Sequence, residues 1–125
     1  MALSSTFSLV NKTSRSFTER DVPFQKIKES VLGKKYELSV AIVGAAESRR
    51  ITKATKGKDK ASNVLSFPLS KTSGEIVLCP AAAHEFTVGY LFIHGLCHLK
   101  GYKHSATMDS IERRYLRKWG LKAHE

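Results

Sequence analysis

Between Ala81 and Lys100 the apolar residues Phe86, Tyr90, Ile93 and Cys97 recur at i, i+4, i+7 and i+11, which aligns them along one stripe of an α-helix. Such a stripe must be covered, so the rest of the chain has to present a face to it. Gly101 stands where this helix would end, because glycine takes the left-handed conformation that closes a helix C-terminus. A further helix is predicted from about Thr107 to Trp119, where Met108, Ile111, Tyr115 and Trp119 keep the same period and Gly120 follows.

The covering face is predicted from the N-terminal part of the chain. TFSLVN reads as a short strand, VPFQKIKESVL as an amphipathic helix, YELSVAIVG as a strand and AAESRRITKAT as a second helix. Leu38, Val40 and Ile42 alternate with Ser39, Ala41 and Val43, the pattern of a strand buried mainly on one side. SNVLSFPL and GEIVLCP follow as β-rich runs joined by KTSG, close enough for a hairpin, with Pro68 and Pro80 expected at strand ends. The fold class is therefore α+β, a small sheet covered by helices. At 125 residues, 42% apolar and 26% charged, with no linker-like or repetitive run, residues 1–125 are expected to form one domain. MALSSTFSLVNKTS lacks the basic and apolar regions of a secretory leader, and no apolar run approaches the roughly 18 residues that span a bilayer. A soluble, cytoplasmic protein without membrane contact is expected. Cys79 and Cys97, both in apolar surroundings, read as buried free thiols and not as a disulfide.

Charge narrows the choice of partner. Twenty-one Lys and Arg against eleven Asp and Glu give a net charge of +10, which favours a polyanion. Six basic residues, Arg49, Arg50, Lys53, Lys56, Lys58 and Lys60, and a single acid, Asp59, fall within twelve positions. Arg49, Lys53, Lys56 and Lys60 are spaced to begin a basic stripe on the second helix, with Gly57 placed to end that helix before Lys60. A surface of this kind neutralises phosphates without reading bases. The stretch from Arg113 to Lys122 is basic as well.

The segment HGLCHLKGYKH supplies chemistry. His94 and His98, four residues apart, stack one turn apart on one helix face, and a bend at Gly101 brings His104 toward the same point. Three neutral imidazoles with a fourth position open define a catalytic zinc site, at which a bound water has its pKa lowered to about 7. Cys97 shares the phase of the apolar stripe and is not counted as a ligand; His84 and His124 have no partner at ligand spacing and read as solvated. The spacing is that of the metzincin proteases, but their general base, a Glu directly after the first His, is here Gly95, which argues against a peptidase.

Taken together, GKDKASNVLSFPL, GEIVLCP and HGLCHLKGYKH resemble the YbeY family of zinc-dependent, single-strand-specific endoribonucleases, from roughly Tyr36 to the last helix. The resemblance implies an α+β fold with a small four-stranded mixed sheet under about four to five helices, the long metal-bearing one near the C-terminus. It implies one Zn2+ per chain on His94, His98 and His104. The implied substrate is single-stranded RNA, not DNA, in 16S ribosomal RNA 3′-end maturation and ribosome quality control, with the small ribosomal subunit, its proteins and an Era-type GTPase as partners. The family's Tyr-Arg pair is here Thr55-Lys56, so a lysine replaces a guanidinium fork suited to phosphate. The acid that commonly precedes the third histidine is here Lys103, which cannot orient an imidazole and predicts weaker metal binding. Gly74-Glu75-Ile76 keeps a carboxylate. The catalytic candidates are thus Lys56, His94 and Glu75, with RNA contacts from Arg49, Lys53, Lys56, Lys58 and Lys60. The alternative is a zinc-stabilised RNA-binding or ribosome-assembly factor with little catalysis.

Overall fold

The alternation in YELSVAIV becomes a strand, β3 (Glu37–Ile42), at the centre of a mixed sheet in the computed structural model, which describes Leu3, Ser4 and residues 6–125. Met1, Ala2 and Ser5, part of the stretch read for a leader, lie outside the described residues. The other strands are β1 (Leu3–Ser4), β2 (Phe7–Asn11), β4 (Val64–Ser70) and β5 (Ser73–Leu78). They lie in the order β1-β2-β3-β5-β4, with β2, β3 and β5 parallel and β1 and β4 antiparallel to their neighbours. Four strands of five to seven residues form the expected sheet, and the two-residue β1 extends its edge. The helices are α1 (Phe24–Leu32), α2 (Ala45–Lys56), α3 (Val88–Lys100) and α4 (Ala106–Trp119). None of the described helices is long and apolar enough to cross a membrane.

β4 and β5 form the hairpin expected from their spacing, but Pro68 sits inside β4, at a register shift between Pro68 and Ser70. Proline is tolerated there because β4 is an edge strand, whose outward side needs no ladder hydrogen bond. The predicted long helix begins later than expected. Pro80–Ala82 form a short 3-10 turn, His84 takes φ 57°, and Thr87 caps α3 by accepting the Tyr90 N–H at 3.0 Å. Phe86 therefore lies outside the helix whose stripe it was expected to lead, yet its ring stacks on Tyr90 with centroids 5.1 Å apart and meets the tilted His124 ring at 5.0 Å. His124, exposed but bridged to Phe86 through the backbone, is not simply solvated.

The register explains which side of the sheet α3 covers. Leu38, Val40 and Ile42 pair with Gly74, Ile76 and Leu78, and Leu99 of α3 lies over Gly74 while Gly95 lies over Ile76. All of these strand positions are buried. Phe24 of α1 packs edge-on against Phe92 of α3 with ring centroids 5.0 Å apart. α3 is thus walled by the sheet, α1 and α4, which is why eight of its thirteen residues are buried and why the stripe read from sequence understates its apolar surface. Cys79 and Cys97 are buried and free.

Candidate metal centre

Two helix ends position the third histidine. α3 stops at Gly101 (φ 110°), whose N–H reaches His98 O at 3.0 Å while the Tyr102 N–H reaches Cys97 O at 3.0 Å, the paired bonds of a Schellman closure. Ser105 then caps α4, its hydroxyl accepting the Met108 N–H at 3.2 Å. Only Tyr102, Lys103 and His104 link these closures, so the bend folds His104 back toward α3.

The result is a convergence of nitrogens. His98 Nε2 lies 3.2 Å from His94 Nε2 and 3.1 Å from His104 Nε2. Behind them, His94 Nδ1 stands 2.5 Å from Glu112 Oε2, and His98 Nδ1 stands 3.2 Å from the Tyr102 carbonyl. A carboxylate or carbonyl at Nδ1 keeps the proton on that nitrogen and leaves Nε2 as a bare lone pair. With the Nδ1 protons so placed, Nε2 of His94 and Nε2 of His98 both present a lone pair toward one point. Such an arrangement is favourable around a cation. Zinc with bonds of 2.0–2.1 Å holds tetrahedral ligand nitrogens about 3.3 Å apart, and the observed spacings fit. Burial first, and then the His94 and His104 rings, hold His98 below the usual 6.5 against the opposing pull of the Tyr102 carbonyl and Glu112, so His98 is neutral and ligand-competent at pH 7.

Glu112 was missed by sequence reasoning. It sits on α4, 2% exposed, between Met108 and Leu116, which are buried at the same phase. An acid at i+4 from one core residue and i−4 from another was the available signal, because a carboxylate is buried only with a partner. Its role answers the expectation raised by Lys103. Lys103 is exposed, and the imidazoles are oriented by Glu112 and by the Tyr102 carbonyl instead. His104 is exposed and its Nδ1 has no protein partner among the described residues, which makes it the least constrained of the three. Cys97 is fully buried, with its thiol pushed up to about 12 by burial and by Glu112; it stays a neutral thiol and no ligand.

Gly95 shows why a side chain at its position would not serve as a protease base. A Cβ there would lie 3.0 Å from Ser66 Oγ and 3.1 Å from Ile76 Cδ1, so this position faces the sheet, not the histidines. Ser66 also hydrogen-bonds the Gly95 carbonyl at 3.3 Å.

The other candidates divide. Lys56, at the end of α2, shares a cleft of about 380 Å³ with Asn63, Ser66 and the three histidines, and its ammonium stands 5.8 Å from the Phe67 ring centroid. Glu75 does not join them. Its neighbour Ile76 points toward α3, and alternation sends Glu75 to the opposite side of the sheet, beside Ser39 and Lys12. The sequence could show the carboxylate but not the face. In the basic region, α2 ends at Gly57 as expected, leaving Lys58 and Lys60 on the following loop. Arg49 is already occupied: Nε and Nη2 meet Asp59 at 2.6 and 3.0 Å, which holds the acid down and the guanidinium up in pKa. Lys53, Lys58 and Lys60 are exposed, and among the described residues none is ion-paired.

Comparison with known proteins places the chain in a family. A relative from Aromatoleum aromaticum described as endoribonuclease YbeY is 36% identical and covers 64% of this chain; another from Nitrosomonas eutropha, of the same description, is 34% identical over 70% of this chain and 72% of its own length. The chain spans 64% and 65% of the lengths of the Aromatoleum aromaticum relative and a Bordetella avium one. The fold is similar to the solution structure of a Thermotoga maritima protein, with a TM-score of 0.61 at 25% identity, over 90% of this chain and 88% of that one. The family described as endoribonuclease YbeY matches residues 8–120, so nearly the whole chain, including all three histidines, Lys56 and Glu112, belongs to that family.

Proposed function

We propose that the chain is a zinc-dependent endoribonuclease that cleaves single-stranded RNA in the maturation of the small-subunit ribosomal RNA 3′ end and in ribosome quality control. The observation that carries the reading is the convergence of the Nε2 atoms of His94, His98 and His104, with His98 3.2 and 3.1 Å from the other two, in the same cleft as Lys56. When bound there, a divalent cation supplies a Lewis acid for a phosphoryl oxygen and lowers the pKa of water. His94, His98 and His104 hold it as neutral donors, so no ligand carboxylate repels an incoming phosphate. Glu112 and the Tyr102 carbonyl keep two of the rings in the donor tautomer. Lys56 offers its ammonium to charge developing at phosphorus, as a point charge and not a fork. Asn63 and Ser66 line the wall that a strand would follow. Among the described residues lining this cleft there is no carboxylate, and Glu75, beside Ser39 on the opposite side of the sheet, takes no part in this reading.

One observation favours a second reading, a zinc-stabilised RNA-binding or ribosome-assembly factor: the cation in the cleft is a lysine partly engaged over Phe67. Cleavage of a single-stranded ribosomal RNA fragment by protein of measured zinc content separates the two. The nuclease reading expects cleavage that disappears on chelation and returns with zinc. Intact RNA that is nevertheless bound by stoichiometrically zinc-loaded protein selects the second reading. Cyclic 2′,3′-phosphate ends on the products would identify the RNA's own hydroxyl as nucleophile. The small ribosomal subunit, its proteins and an Era-type GTPase are the partners this role would bring, and the cytoplasm its place.

A further inference from the structure

α4 carries a charged surface that the metal centre does not use. Its inner residues Met108, Glu112 and Leu116 are buried, and Ile111, Tyr115 and Trp119 beside them are half-buried. At 3.6 residues per turn, Arg113, Arg114 and Arg117 fall on the opposite side within an arc of about 100°, and all three are exposed. Lys118, whose ammonium lies 3.0 Å from Ser30 Oγ of α1, and Lys122 extend the positive surface. The outward acid of this helix is Asp109, since Glu112 is turned toward His94. Among the described residues no carboxylate pairs with Arg113, Arg114 or Arg117. The contrast with α2 is direct, because Arg49 and Arg50 there both reach acids, Asp59 and Glu47.

Like charges three and four residues apart destabilise a helix. The macrodipole offsets this for Arg117 and Lys118 in the last turn, but Arg113 and Arg114 stand too far from the C-terminus to benefit. Three unpaired guanidinium forks on one arc are suited to phosphate oxygens. Position also matters, since α4 begins next to the ligand His104 and its inner face holds Glu112. At 1.5 Å per residue, Arg113 and Arg117 lie about 12 and 18 Å along α4 from its Ser105 cap. We propose that this arginine face is a second RNA-binding surface, which grips the phosphate backbone of the RNA strand where it runs beyond the metal cleft. The proposal rests on the RNA reading given above and extends it to a part of the molecule that reading leaves idle.

The test compares two RNA probes, a short oligonucleotide sized to the cleft and the same sequence extended by about ten nucleotides, bound to zinc-loaded protein across a salt series. With roughly 0.7 of a salt-slope unit per phosphate on a single strand, three contacts contribute a slope of about 2 and close to 50-fold in affinity near 0.15 M salt. The triple variant Arg113→Gln, Arg114→Gln, Arg117→Gln should lower the ratio of extended to short affinity by tens of fold and flatten the slope for the extended probe by about 2. An unchanged ratio and slope would overturn the proposal while leaving the nuclease reading intact. Wild-type protein that binds neither probe would sink both. Should the triple variant unfold, the guanidinium Nε–H resonances of the wild-type protein decide: shifts at these arginines on adding the extended probe but not the short one support the surface, and shifts with neither probe refute it. Equal binding of polyglutamate of matched charge would refute an RNA-directed role as well.

Discussion

Replacing Glu112 by Gln should separate the strength of the metal site from the stability of the fold. The carboxylate is 2% exposed and lies 2.5 Å from His94 Nδ1. Acids that back a ligating histidine are worth roughly 10–100-fold in metal affinity, or about 1.4–2.7 kcal/mol. Gln keeps an oxygen that can accept the Nδ1 proton, so ring and tautomer stay in place and the loss belongs at the lower end, about tenfold. Glu112→Ala also removes the acceptor and opens a void behind the ring, which puts it near 100-fold. Stability should move differently. A buried charge opposes folding unless its partner compensates, and neutral substitutes of the same shape are often neutral or stabilising. Metal-free Glu112→Gln should therefore melt at or above the wild-type temperature while binding zinc more weakly. Competition against a fluorescent chelator, together with thermal unfolding in excess EDTA, reads both quantities. Equal zinc affinity in wild type, Glu112→Gln and Glu112→Ala would refute the reasoning, as would a metal-free Glu112→Gln that melts many degrees lower.

Three further outcomes follow from the same geometry. His94→Ala strands the Glu112 carboxylate in the interior and should cost the metal-free fold about 3 kcal/mol, whereas His104→Ala, at an exposed position, should stay within about 0.5 kcal/mol; similar urea midpoints for the two would contradict this. Gly95→Glu, which would complete a protease-like motif, should yield no peptidase and lose about 1–3 kcal/mol through the clash with Ser66 and Ile76, a loss absent from denaturation curves if the position were open. In metal-free protein the His98 ring should titrate below 6.5, since burial disfavours its charged form. The unfolded chain then binds more protons than the folded one between the two pKa values, so this residue's contribution to stability falls as pH drops through 6.5 and is fully recovered above it. A histidine NMR titration with a midpoint at or above 6.5 would show that burial does not dominate.

Much of this protein was open to reading from residue order alone, because the relevant physics is local. The alternation of Leu38, Val40 and Ile42 marks β3, the spacing of His94 and His98 places both rings on one helix face, and Gly101 ends α3 where only a left-handed residue closes a helix cheaply. Even Lys56 could be singled out, from the basic run and from the resemblance its surroundings carry. What lay beyond reach depends on how distant elements meet. Whether Glu75 faces the histidines is decided by which side of the sheet α3 covers. Glu112, eighteen residues from His94, becomes its partner only when α4 packs on α3. Arg49 looked as available as Lys53 until the loop after α2 returned Asp59 to it. Local backbone preference and helical period act over a few residues, whereas the partner of a buried charge is chosen by packing between chain segments that the sequence keeps apart.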